Sequence, residues 1–68
     1  MYGLNAKLQY VGYVKTEYPE SVSLHDVKSY AGGIFHEDNV ISVCVFDDRG
    51  TARLYLKKTD NGVIREER

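Results

Sequence analysis

Val40-Ile41-Ser42-Val43-Cys44-Val45-Phe46 is the stretch on which the fold turns. It is the most β-prone run in the chain and is apolar on both alternating sides, with Ile41, Val43 and Val45 on one and Val40, Cys44 and Phe46 on the other. A strand with one wet face alternates apolar and polar residues, whereas this one calls for cover above and below. The rest of the sequence is a search for that cover.

Upstream, Leu4, Ala6, Leu8, Tyr10, Gly12 and Val14 alternate with Asn5, Lys7, Gln9, Val11, Tyr13 and Lys15, which predicts one long strand with a single core face and a bend or bulge at Gly12. Pro19 ends that pattern. Ser23 then reads as a helix N-cap, with Asp26 three residues on at the positive helix end. Leu24, Val27, Tyr30 and Ala31 form an apolar stripe. Gly32-Gly33 is expected to close this helix, which leaves about two turns, roughly 12 Å.

Downstream, Asp47-Asp48-Arg49-Gly50 reads as a tight turn into a third strand, in which Ala52, Leu54 and Leu56 oppose Arg53, Tyr55 and Lys57. Asp60-Asn61-Gly62 signals a second hairpin of type I′, leading to a short strand at Val63-Ile64. Residues 65–68 are expected to fray. The predicted architecture is one α+β domain over residues 1–68. Its element order is β-α-β-β-β, with a mainly antiparallel sheet and one short helix on one face. The connection through the helix is long enough for a parallel crossover, and the pattern leaves open whether the first strand pairs with the second or the third.

Length and composition narrow the functional classes. A 68-residue chain buries only about 60% of its unfolded surface, so it gains from self-association or good local structure. One cysteine allows no internal disulfide, and no Cys/His spacing suits structural zinc. A net charge of −1 gives no global attraction to nucleic acid or anionic lipid. The first residues carry neither the basic end nor the apolar run of a signal peptide, no run reaches membrane-span length, and Gly3 stands one place late for myristoylation. A cytoplasmic protein without membrane partner is expected.

Candidates for chemistry do not assemble in the sequence. His36, Glu37 and Asp38 are separated from Asp47 and Asp48 by the length of the central strand, about 23 Å. Cys44 has valines on both sides, where a nucleophile needs a base and positive charge. Gly32-Gly33 follows a helix, whereas phosphate loops precede one. The reading is therefore non-enzymatic, with no cofactor, metal or small-molecule substrate.

Charge and aromatic placement point to a surface instead. Lys7, Val11, Tyr13 and Lys15 on the first strand, Arg53, Tyr55 and Lys57 on the third, and Phe46 on the central strand fall on the sides away from the helix. The acids gather in turns and around the helix. Tyrosine with arginine is enriched at protein interfaces, so these eight residues are the candidate partner-binding set, for another protein or for a second copy in a homodimer. The alternative is a single-stranded RNA platform, with Tyr13 and Tyr55 stacking on bases and the cations meeting phosphates. β-propensity alone also accounts for tyrosine and lysine on a solvated strand. In size and architecture the chain resembles the short α+β accessory proteins of phage and mobile elements. That resemblance, which no motif carries, implies a protein that binds and blocks a host protein.

Overall fold

The chain begins with a hairpin where the sequence pattern promised one long strand. In the computed structural model, which describes all 68 residues, β1 (Tyr2–Leu8) and β2 (Gly12–Tyr18) pair antiparallel across a turn at residues 9–11. Gly12, at φ +90°, takes a backbone conformation that favours glycine. The reason the turn was hidden is arithmetic. Leu8 pairs with Gly12, Ala6 with Val14 and Leu4 with Thr16, so even-numbered residues stay on one face before and after the reversal. A hairpin of this register has the same period-two pattern as an uninterrupted strand.

The helix α1 spans Leu24–Phe35, twelve residues rather than two turns, or about 18 Å. It starts as the sequence indicates, with the Asp26 N–H donating to Ser23 Oγ at 3.1 Å. It does not stop at Gly32-Gly33. Both glycines continue the helix, and His36 caps it by donating its N–H to the Gly33 carbonyl at 3.3 Å. Magnitudes explain the outcome: two helical glycines cost about 1–2 kcal/mol relative to alanine, whereas burying Phe35 alone gains about 1.5–3 kcal/mol. The stripe Val27, Ala31, Phe35 is buried along its whole length.

The remaining strands are β3 (Val40–Phe46), β4 (Ala52–Thr59) and β5 (Gly62–Glu67). All five strands form one sheet in the order β2-β1-β3-β4-β5, antiparallel throughout. The α+β class holds, with one helix packed on one sheet face; the element order is β-β-α-β-β-β, one strand more than expected. Every ladder is antiparallel, but β2 and β3, each antiparallel to β1 between them, point the same way, so the connection through α1 is a parallel crossover that passes over β1. In the Asp47 turn, Asp47 Oδ1 accepts the N–H groups of Arg49 (3.0 Å) and Thr51 (2.9 Å), and Gly50 sits at φ +79°. The second hairpin has the expected loop but not a type I′ turn: only Gly62, at φ +125°, has positive φ there.

Residues 65–68 do not fray. β5 runs to Glu67, whose carboxylate meets Lys28 of α1 and Arg65, each at 2.9 Å. The Arg68 N–H donates to the Arg53 carbonyl at 3.0 Å, and Arg53 Nε donates to the Arg68 carbonyl at 3.1 Å. A terminus expected to be solvated is tied down by a ladder and by the helix.

α1 lies over β1 and β3, and the core consists of Leu4, Ala6, Val40, Val43, Val45, Leu54 and Leu56 against Val27, Ala31 and Phe35. On β3 the helix side was expected to be Ile41, Val43 and Val45. Val43 and Val45 are there, but the third buried residue is Val40. The register with β1 slips beside Leu8, which pairs with Val40 and leaves Ile41 unmatched and half-buried. At its edges the helix face is closed by Tyr18 stacked on Tyr30 (5.7 Å between rings) and by Lys58, which reaches over Phe35 to donate to the Glu37 carbonyl at 2.7 Å.

Candidate functional site: the open sheet face

The opposite face of the sheet has no covering element, and the pairing registers fix what it displays. Residues directly opposite in an antiparallel ladder share a face, so three rows cross the strands. The first row is Glu17, Gly3, Phe46, Ala52. The second is Lys15, Asn5, Cys44, Tyr55, Glu66, and the third is Tyr13, Lys7, Ser42, Lys57, Ile64. The rows lie about 7 Å apart along the strands and the columns about 4.8 Å apart across them.

Six of the eight sequence-derived candidates meet on this grid: Lys7, Tyr13, Lys15, Phe46, Tyr55 and Lys57. Two do not. Val11 sits in the β1–β2 turn, 74% exposed beside the 86% exposed Tyr10, because the reversal that the alternation concealed lifts it off the strand. Arg53 falls where the β3–β4 register shifts, since Leu54 pairs with Val45 and Ala52 with Phe46. Its guanidinium is turned to Asp47 at 3.7 Å and to the Arg68 carbonyl. The same shift moves Ala52 off the side of Leu54 and Leu56 and onto the open face.

The face is also less basic than the sequence implied. Glu17 and Glu66 share it with Lys7, Lys15 and Lys57, leaving one net positive charge. In the sequence Glu17 stands two residues before Pro19 and reads with the turn acids, and Glu66 falls in the stretch expected to fray, so neither is expected on the face. Ile64, 43% exposed, lies in the short strand expected at Val63-Ile64 and was not among the candidates.

Two local features distinguish the grid from an ordinary solvated sheet. Gly3, lacking a side chain between Glu17 and Phe46, floors an open hollow of about 560 Å³ edged by Asn5, Lys15 and the Asp47–Asp48 turn. Above it, Asn5 Oδ1 is shielded from solvent and accepts no hydrogen bond; a buried acceptor left unpaired costs about 1–3 kcal/mol. The aromatic residues are graded. Phe46 and Tyr55 are half-buried among neighbours, whereas Tyr13 is 65% exposed, with the Lys7 ammonium 5.8 Å from its ring centre.

The titratable groups explain themselves structurally. Burial pushes the Cys44 thiol up, which disfavours the nucleophilic thiolate. Asp47 is held below the usual carboxylate range, first by the Thr51 N–H and then by the Arg49 N–H and the nearby arginines. His36 caps α1, His25 lies in its first turn, and no three His, Cys, Asp or Glu side chains converge in a metal-holding group. No helix is long and apolar enough to cross a membrane. Compared with protein-family models, with curated proteins and with solved structures, the chain matches none.

Proposed function

We propose that the protein is a small non-enzymatic binding domain that docks on protein, another chain or a second copy of its own, through the open sheet face. The observation that carries this reading is the one-sided cover of the sheet. α1 packs over β1 and β3 on one side, while Phe46, Cys44, Tyr55 and Tyr13 lie on the other with no element above them. Aromatic residues interleaved with lysine stems supply the amphipathic contact that interface centres favour. The location that fits is the cytoplasm. On a host target, such docking would act by occlusion, as an inhibitor, in the manner of phage and mobile-element accessory proteins.

Single-stranded RNA is the second reading, favoured by Tyr13, Lys7 and Lys57 standing in one row. Glu17 and Glu66 on the same face weigh against a phosphate track. The test is capture from a lysate with the wild-type chain and a Tyr13→Ser/Tyr55→Ser variant side by side. A protein retained by the first and released by the second supports protein docking. Nucleic acid retained instead, or a protein held equally by both, overturns it.

A further inference from the structure

Resting on that reading, we infer that the occupant of the open face is a second copy of this chain, stacked face to face about a two-fold axis parallel to the strands and lying between β1 and β3. The axis follows from the grid. A rotation about such an axis keeps each row on itself and reverses the columns, so β1 faces the partner's β3 and β2 faces the partner's β4. In the first row the partner's Phe46 then stands over Gly3, and its ring enters the hollow that Gly3 leaves; by symmetry Phe46 enters the partner's hollow. In the second row Lys15 meets the partner's Tyr55, and Asn5 meets the partner's Cys44. In the third row Tyr13 meets the partner's Lys57 and Lys7 meets the partner's Ser42. Both outer cation–aromatic pairs occur twice.

Other axes are poorer. Through the centre of β3, Lys7 opposes the partner's Lys57 in both copies. Across the strands at the second row, Lys15 opposes the partner's Lys15 and Glu66 opposes the partner's Glu66. Between β3 and β4 the hollow stays empty and Tyr13 is uncovered. Of these axes only the β1/β3 axis seats a ring in the hollow while setting no like charges against each other. Four overlapping strands at about 4.8 Å, each about 23 Å long, give a footprint near 440 Å² per copy, or about 900 Å² in all. That is close to the ~1,000 Å² a specific interface should clear and well below the ~1,600 Å² standard. The dimer is therefore weak, with dissociation in the micromolar range or above.

Sedimentation equilibrium over a concentration series up to about 100 times the micromolar scale tests this on the whole chain and three single variants. Gly3→Leu puts a side chain into the hollow from within, where the partner's ring would enter. The backbone admits a side chain there, since a Cβ meets only the Thr16 carbonyl oxygen, at an ordinary 3.8 Å, and Gly3 has no positive φ. Phe46→Ala removes the ring that enters. Ile64→Ser alters the same face on β5, beyond the overlap. The expected result is a concentration-dependent dimer of the 7.8 kDa chain for the wild type and Ile64→Ser. Gly3→Leu and Phe46→Ala should weaken it at least tenfold with circular dichroism unchanged. A wild type that stays monomeric overturns the second copy as occupant, while the docking reading still stands if capture yields a face-dependent partner. A dimer that Gly3→Leu leaves intact, or that Ile64→Ser dissolves, overturns this axis. Should Gly3→Leu fail to fold, the contrast between Phe46→Ala and Ile64→Ser decides alone.

Discussion

Replacing both helix glycines, Gly32→Ala with Gly33→Ala, should stabilise the protein. The two residues lie inside α1, neither has a positive φ, and a Cβ built on either meets nothing within 4 Å. Alanine therefore adds no clash, removes conformational freedom from the unfolded chain and shields the helix backbone. At about 0.5–1 kcal/mol each, the pair contributes about 1–2 kcal/mol. Against a total stability on the order of 3–10 kcal/mol for a chain of this length, that is a large fraction. An unfolding entropy near 2.1 cal/mol/K per residue converts 1 kcal/mol into about 7 °C, so the double variant should melt about 7–14 °C higher. Thermal melts by far-ultraviolet circular dichroism, with urea titrations to check that the m-value is unchanged, read the effect directly. An unchanged or lower melting temperature would refute the helix as continuous through residue 35. It would restore the helix end at Gly32-Gly33, with Phe35 held by a different backbone.

Leu54→Ala, at the largest fully buried side chain, should cost about 2–5 kcal/mol, enough to leave much of the population unfolded near 37 °C; a two-state melt measures it. Asp47 and Glu67 are both held below the ordinary carboxylate range, Asp47 chiefly by the Thr51 N–H and Glu67 chiefly by Lys28. Their stabilising contribution is full above about pH 4 and is lost as pH falls through the depressed folded values, so Asp47→Asn and Glu67→Gln should each flatten the acid limb of a stability–pH curve. Val11→Ser changes a residue in the hairpin turn, off the grid, and should leave both stability and docking within error, by melts and by sedimentation. Filter retention should find no RNA bound at physiological salt; retention that weakens steeply with salt and disappears in Tyr13→Ala/Tyr55→Ala would establish the RNA platform instead.

Where sequence and structure agree, the signal was local and strong. Val40–Phe46 is a strand with the bounds its β-branched run indicates, Ser23 caps α1, and the Asp47 and Asp60 turns form where their residues place them. Where they part, two local signals were degenerate. Alternation cannot tell a strand from a hairpin whose register pairs even residues with even ones, so Leu4–Val14 concealed both the β1–β2 turn and the displacement of Val11. Tandem glycines ordinarily end a helix, but Phe35, beyond them, has a core to enter, and tertiary burial outweighed propensity. The register irregularities at Ile41 and Arg53 leave no trace in a period-two reading. They are what exchange Ile41 for Val40 in the core and put Ala52 on the open face.

The open face owes its availability to how the edges are protected. β2 and β5 are the outer strands and are exposed along nearly their whole length, so a second chain could in principle extend the sheet. Both edges carry charge: Lys15 and Glu17 on β2, and Arg65, Glu66 and Glu67 on β5. Pro19 follows directly on the end of β2, and charged edge strands discourage continuation of a ladder. β5 is further engaged by Lys28 from the helix, and Arg68 just beyond it by the two hydrogen bonds with Arg53. The centre of the open face is built differently, with Gly3, Ser42, Cys44 and Ala52 keeping its profile low beside the rings of Phe46 and Tyr55. A low surface with one knob and one hollow in the same row is poorly suited to strand addition and well suited to stacking, which is why association is expected across the sheet and not along it.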